Sequence, residues 1–170
     1  MKLTVGLGII ILLLGGAIFL VSQNDSTSNP VTLPAVELQN TDGSPAFVHD
    51  YLDGEKILVV NSWATWCPFC VNELPDLVAL QEEFSDEVVV VAVNRRESIS
   101  ESTAYLENLG VGKGLVYLYD PSDAWYRELG GFTMPETTFI NARGEIIVHK
   151  RGFMALPEMR EHVETTLMSN

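Results

Sequence analysis

Asn61-Ser62-Trp63-Ala64-Thr65-Trp66-Cys67-Pro68-Phe69-Cys70 holds both cysteines of the 170-residue chain. Upstream, Ile57-Leu-Val-Val60 is a continuous apolar, β-branched run of the kind found in a central strand covered on both faces. Downstream, Cys70, Leu74, Leu77, Val78 and Phe84 recur at helical spacing, which predicts a helix over 68–84. Cys67 therefore falls at a strand-to-helix junction, where unpaired backbone N–H groups and the helix dipole favour an anion, here a thiolate. This makes Cys67 the candidate nucleophile. Cys70, one turn further on and better shielded, is placed to attack a mixed disulfide formed at Cys67, a resolving role. Pro68 is tolerated because the first helical turn has no N–H bond to lose.

Two cysteines in one four-residue window cannot build a multi-bridge scaffold, and so short a loop adds little stability through chain entropy. Reactivity is the better reason for the pair. A zinc site would need two more nitrogen or sulfur ligands, and His49, His149 and His162 are scattered with no second paired spacing, so no metal is assigned.

Working outward, 87–93 repeats the buried-strand pattern, so strand, helix, strand implies a parallel pair with a right-handed crossover. Val36–Gln39 and Pro45–Val48, joined by Asp42-Gly43, form a small N-terminal hairpin. Ser98-x-x-Glu101 resembles a capping box opening a helix that stops at Gly110. Leu115–Tyr119 reads as a strand and Ser122–Leu129 as a short helix. Thr137–Asn141 and Glu145–Lys150 form an antiparallel hairpin, and Pro157 starts a terminal helix. The order gives an α/β fold, a three-layer sandwich with helices on both faces of a mixed sheet.

The chain is 46% apolar, ample for one packed core, and its formal net charge of −13 with only ten Lys and Arg excludes a nucleic-acid partner. From Val5 to Val21 it runs seventeen residues without a charge, nearer the length of a spanning helix than of a cleaved leader. Lys2 precedes this run and no Lys or Arg follows until Lys56, which places the N-terminus inside and everything after Val21 outside the cytoplasm. The expected organisation is a signal anchor over residues 1–22, a polar linker over 23–34 and one domain over 35–170. Ser22–Pro30 spans at most about 30 Å, so the domain would work close to the bilayer.

The segment Asn61–Cys70 resembles the active-site strand and turn of the thioredoxin superfamily, and more narrowly its membrane-anchored TlpA-like branch, with the ResA-type and CcmG-type (DsbE) reductases of cytochrome c maturation. The resemblance spans roughly residues 31–170. It implies a thioredoxin-like three-layer α/β/α sandwich with an N-terminal β-hairpin extension, a redox-active Cys67–Cys70 disulfide and no cofactor. It also implies that Trp63 and Trp66 flank the site, that Asn61 replaces thioredoxin's buried aspartate, and that Pro75 kinks the active-site helix. Met134-Pro135-Glu-Thr-Thr-Phe139 matches the family's cis-proline loop, in which the residue before the proline, here Met134, hydrogen-bonds an extended substrate.

ResA-like proteins carry a glutamate at the place of Glu73. Three residues past Cys70, it shares that helix face, so it is either a half-buried carboxylate with a raised pKa that relays protons to Cys70 or a solvated helix charge. Glu136, beside the proline, could act in the same way, but is expected to be exposed. The implied partners are extracytoplasmic protein thiols or disulfides, with apocytochrome c a candidate, and a membrane electron-relay protein acting as reductant. Two rival readings stand beside this one. A copper-delivery module would draw on His149 as the sole candidate histidine, and a thiol peroxidase would use a single low-pKa cysteine.

Overall fold

A computed structural model describes residues 33–170 of the chain. The expected anchor and nearly all of the linker lie outside these residues. Among the described residues no helix is long and apolar enough to cross a membrane.

The apolar run after Lys56 becomes β3 (Ile57–Trp63), buried at every position. Its parallel neighbour is β4 (Val88–Arg95), and β4 in turn pairs in parallel with β5 (Val116–Asp120). On the other side β3 pairs antiparallel with β6 (Glu136–Ile140), which turns back into β7 (Ile146–Arg151). The N-terminal ribbon, β1 (Leu38–Gln39) and β2 (Pro45–Ala46), adds antiparallel strands to the β5 edge. The result is one mixed seven-stranded sheet in the order β2-β1-β5-β4-β3-β6-β7. β3, which leads to the cysteines, is thus a central strand.

Because side chains alternate along a strand, β3 feeds two cores. Ile57, Val59 and Trp63 pack with Leu74, Leu77 and Leu80 of α1 (Pro68–Glu83), Leu106 of α2 (Ile99–Leu109), and Met159 and Val163 of α4 (Leu156–Leu167). Leu58 and Val60 pack on the opposite face with Leu38, Val48, and Trp125 of α3 (Ala124–Glu128). Helices on both faces complete the expected three-layer sandwich. Each large buried aliphatic side chain here contributes about 2–5 kcal/mol by the usual large-to-alanine measure.

The differences from the sequence reading have local causes. The second hairpin strand stops at Ala46 because Asp50 Oδ2 accepts from Phe47 N at 2.8 Å and winds Val48–Tyr51 into a 3₁₀ turn. The short helix starts at Ala124 rather than Ser122. The buried Asp120 carboxylate fixes that start, accepting from Ala124 N at 3.0 Å and Trp125 N at 2.9 Å. At α2 only half of the expected capping box forms: Ser98 Oγ accepts from Glu101 N at 3.2 Å, while the Glu101 carboxylate accepts from Ser98 Oγ at 2.7 Å instead of from the Ser98 backbone; Gly110 closes the helix at φ +78°, where a glycine is favoured.

Candidate active site

Cys67 is the N-cap residue of α1, with extended backbone, and Pro68 occupies the first helical position. Its Sγ accepts from the Cys70 backbone N–H at 3.2 Å, so the sulfur occupies an anion-binding helix start. No acidic side chain stands in that first turn. The two cysteines are joined as a disulfide. Cys67 is 6% exposed and Cys70 0% exposed, so of the two residues only Cys67 has any opening to solvent. Trp63 is fully buried in the core under the site, whereas Trp66 and Phe69 stand out at 59% and 63% exposure.

The loop before β6 reaches the same end of the sheet. β3 and β6 pair in the register Ser62 to Glu136, which puts Pro135 one step further along, beside Trp63 at the start of the cysteine turn. The Met134–Pro135 peptide is cis. Pro135 O accepts from Gly152 N at 2.8 Å, tying the loop to the end of β7, and Phe132 on its approach is largely exposed.

Glu73 is fully buried, one helical turn beyond Cys70. Burial pushes its carboxyl up from 4.5 to about 8, only partly opposed by hydrogen bonds from the Met154 backbone and Thr137. The solvated-charge reading of Glu73 therefore fails. Thr137 Oγ1 donates to Glu73 Oε1 at 3.4 Å and accepts from Asn61 Nδ2 at 2.9 Å. Thr137 was not singled out in the sequence, because only the β3–β6 register, which opposes Asn61 and Thr137, brings it to the site.

Glu136 is a correction: it is fully buried, not exposed. Adjacent strand residues point to opposite faces, so while Thr137 meets Glu73, Glu136 turns to the other face. There its Oε1 meets His149 Nε2 at 2.6 Å and accepts from Arg151 Nε at 3.1 Å. His149, the one histidine the copper reading could draw on, is thereby engaged away from the cysteines. Among the described residues no group of three or more His, Cys, Asp or Glu is arranged to hold a metal ion.

The Redoxin family model matches residues 28–167 of the chain. The thiol:disulfide interchange protein HelX of Rhodobacter capsulatus is 28% identical over 143 residues, 81% of this chain and 79% of that protein. DsbE of Allochromatium vinosum, also named a thiol:disulfide interchange protein, is 34% identical over 110 residues, 65% of this chain and 58% of that protein. A crystal structure of a thioredoxin-family thiol:disulfide interchange protein from Chlorobium tepidum superposes with a TM-score of 0.70 at 24% identity, covering 84% of this chain and 99% of that one. The likeness to that structure shows a thioredoxin-like fold. With the family model matching most of its length, the chain belongs to the Redoxin family.

Proposed function

We propose that this thioredoxin-like thiol-disulfide oxidoreductase works on the outer face of a membrane as a reductant of protein disulfides, in cytochrome c maturation or a related pathway. Residues 1–22 would anchor it and residues 23–34 would tether the domain. The observation that carries the chemistry is the asymmetry of the pair: Cys67 at the mouth of a helix N-terminus, Cys70 sealed behind it. Similarity to proteins named thiol:disulfide interchange proteins supports the same reading.

In the reduced form the Cys67 thiolate attacks one sulfur of a substrate disulfide, forming a mixed disulfide and releasing the first substrate thiolate. Cys70 then loses its proton and attacks Cys67 Sγ. This closes the Cys67–Cys70 disulfide and releases the second substrate thiolate, so two electrons pass from the dithiol to the substrate. Glu73, raised toward neutral pH, is the group that exchanges that proton with Cys70. The backbone of Met134, before cis Pro135, would hold the substrate extended, with Trp66 and Phe69 as an apolar rim. A dithiol carried by a membrane relay protein would return the two electrons.

The reduction potential of the Cys67–Cys70 couple tests the direction. A value near or below that of thioredoxin, about −270 mV, supports a reductant; a value near that of DsbA, about −120 mV, would make the protein an oxidant instead.

A further inference from the structure

The last two residues of β4 and the two that follow, Asn94-Arg95-Arg96-Glu97, bond to the cysteine turn on one side and to Asp123 and Tyr126 on the other. Glu97 Oε2 accepts from the Thr65 backbone N–H at 2.9 Å and from Asn94 Nδ2 at 2.7 Å, and its Oε1 is bonded to Thr65 Oγ1. Thr65 lies inside the turn that Cys67 N closes onto Ala64 O at 3.2 Å. One carboxylate thus binds the cysteine turn twice, two residues before the nucleophile.

Arg95 points the other way from Asn94, as strand alternation requires. Its Nε and Nη2 donate to the two oxygens of Asp123 at 2.6 and 2.8 Å, and its Cζ lies 3.3 Å from the centroid of the Tyr126 ring. Gly131 packs against that same ring so closely that a Cβ there would lie 2.2–2.5 Å from three ring atoms. Gly131 N also donates to Tyr126 O at 2.8 Å. From Gly131 the chain runs directly to Met134 and cis Pro135. Between the two arms Arg96 sits at φ +57°, a conformation disfavoured for a residue with a Cβ and an outlier of the kind that collects at functional sites.

We propose that Glu97 and Arg95 are positioning residues that together set the gap between the Cys67 sulfur and the cis-proline loop. Glu97 acts through Thr65 on the nucleophile; Arg95 acts through Tyr126 and Gly131 on the strand of loop that holds substrate. The inference rests on the oxidoreductase reading above. It separates the two arms by what each controls: attack by the thiolate, and capture of the substrate.

The experiment measures two things on the reduced full-length protein. One is the rate of Cys67 alkylation by iodoacetamide; the other is kcat and KM for reduction of a cystine-bridged model peptide, with dithiothreitol supplied to re-reduce the Cys67–Cys70 disulfide and its uncatalysed rate subtracted. Glu97→Ala should lower alkylation rate and kcat together by roughly tenfold or more with KM little changed, since small misplacements of a reacting atom are costly. Glu97→Gln should restore both, because its oxygen can serve Thr65 N and Asn94 while its NH₂ faces Thr65 Oγ1. Gly131→Ala should raise KM and leave alkylation unchanged. Arg95→Lys, which loses the planar fork, carries the same expectation should Gly131→Ala not fold. Glu97→Ala behaving as wild type, glutamine failing to restore it, or the loop variants altering thiol reactivity in place of KM would each overturn the proposal. A wild type that reduces no peptide disulfide would instead overturn the oxidoreductase reading, while the alkylation rates would still decide the part played by Glu97.

Discussion

Asn61 and Glu73 face each other across the floor of the site, with Asn61 Nδ2 3.5 Å from Glu73 Oε1 and Thr137 Oγ1 bonded to both. An aspartate at position 61 would put two carboxyl groups in one buried pocket. The asparagine leaves Glu73 as the one acid there and supplies a donor to its oxygen. The buried carboxyl at this end of the sheet therefore sits on the helix, one turn beyond Cys70, and the proposed proton transfer runs through it.

This arrangement has a sign that stability can read. Unfolded, Glu73 ionises near 4.5; folded and oxidised, it ionises near 8 because it is buried. Between those values the folded state holds a proton that the unfolded chain has lost, so stability falls as pH rises through the window, and the loss is complete above it. Glu73→Gln escapes the loss. Urea unfolding of the oxidised protein at pH 5, 7 and 9 should show the variant gaining on wild type as pH rises, by up to roughly 4 kcal/mol. A constant difference across that range would mean that Glu73 ionises as an ordinary carboxyl.

Redox linkage gives an independent reading of the same group. Reducing the disulfide takes up protons, and a carboxyl whose pKa changes with the state of Cys70 bends the dependence of potential on pH. Wild type and Glu73→Gln should therefore give curves of different shape between about pH 5 and 9, and exchange by the variant should be slower. Superimposable curves would remove Glu73 from the proton path.

How far this was legible in the sequence depends on the range over which each feature is built. The cysteine turn follows local rules: an apolar strand, a cap position and a proline at the first helical residue. Helix phase relative to Cys70 pointed Glu73 inward but left a solvated charge open, and the packing of α1 on the sheet decides for burial. Glu136 was misjudged because its surroundings are set by register across β3, β6 and β7. A one-residue step along β6 decides whether a side chain meets Glu73 or His149, and nothing near Glu136 in the sequence announces which. Thr137, Glu97 and Arg95 were missed for the same reason. Their partners lie 76, 32 and 28 residues away along the chain.

Glu136 supplies a further test of the fold on its buried side. Its carboxyl is fully buried, but both partners are partly exposed, His149 at 23% and Arg151 at 45% of their side chains. Removing both leaves a buried carboxyl without a side-chain hydrogen-bond partner, an effect reduced by the solvent that reaches the partner positions. The double variant His149→Ala, Arg151→Ala should lose about 1–3 kcal/mol in urea unfolding at pH 7, and adding Glu136→Gln should recover part of it. A double variant as stable as wild type would mean that the pairing does not bear on folding.

The anchor is tested on the intact protein. Residues 5–21 should remain in the mature chain, and the protein should sediment with membranes and be extracted by detergent rather than by salt. N-terminal sequencing that begins anywhere between Ala17 and Pro30 would show a cleaved leader and a released domain.

The central claim, that Cys67 attacks and Cys70 resolves, is tested most directly by trapping. Reduced Cys70→Ser protein, offered a peptide disulfide, should accumulate a mixed disulfide through Cys67 that is visible by mass spectrometry, while Cys67→Ser should form none and should reduce nothing. A stable adduct on Cys70 in the Cys67→Ser protein, with none on Cys67 in the Cys70→Ser protein, would contradict the assignment.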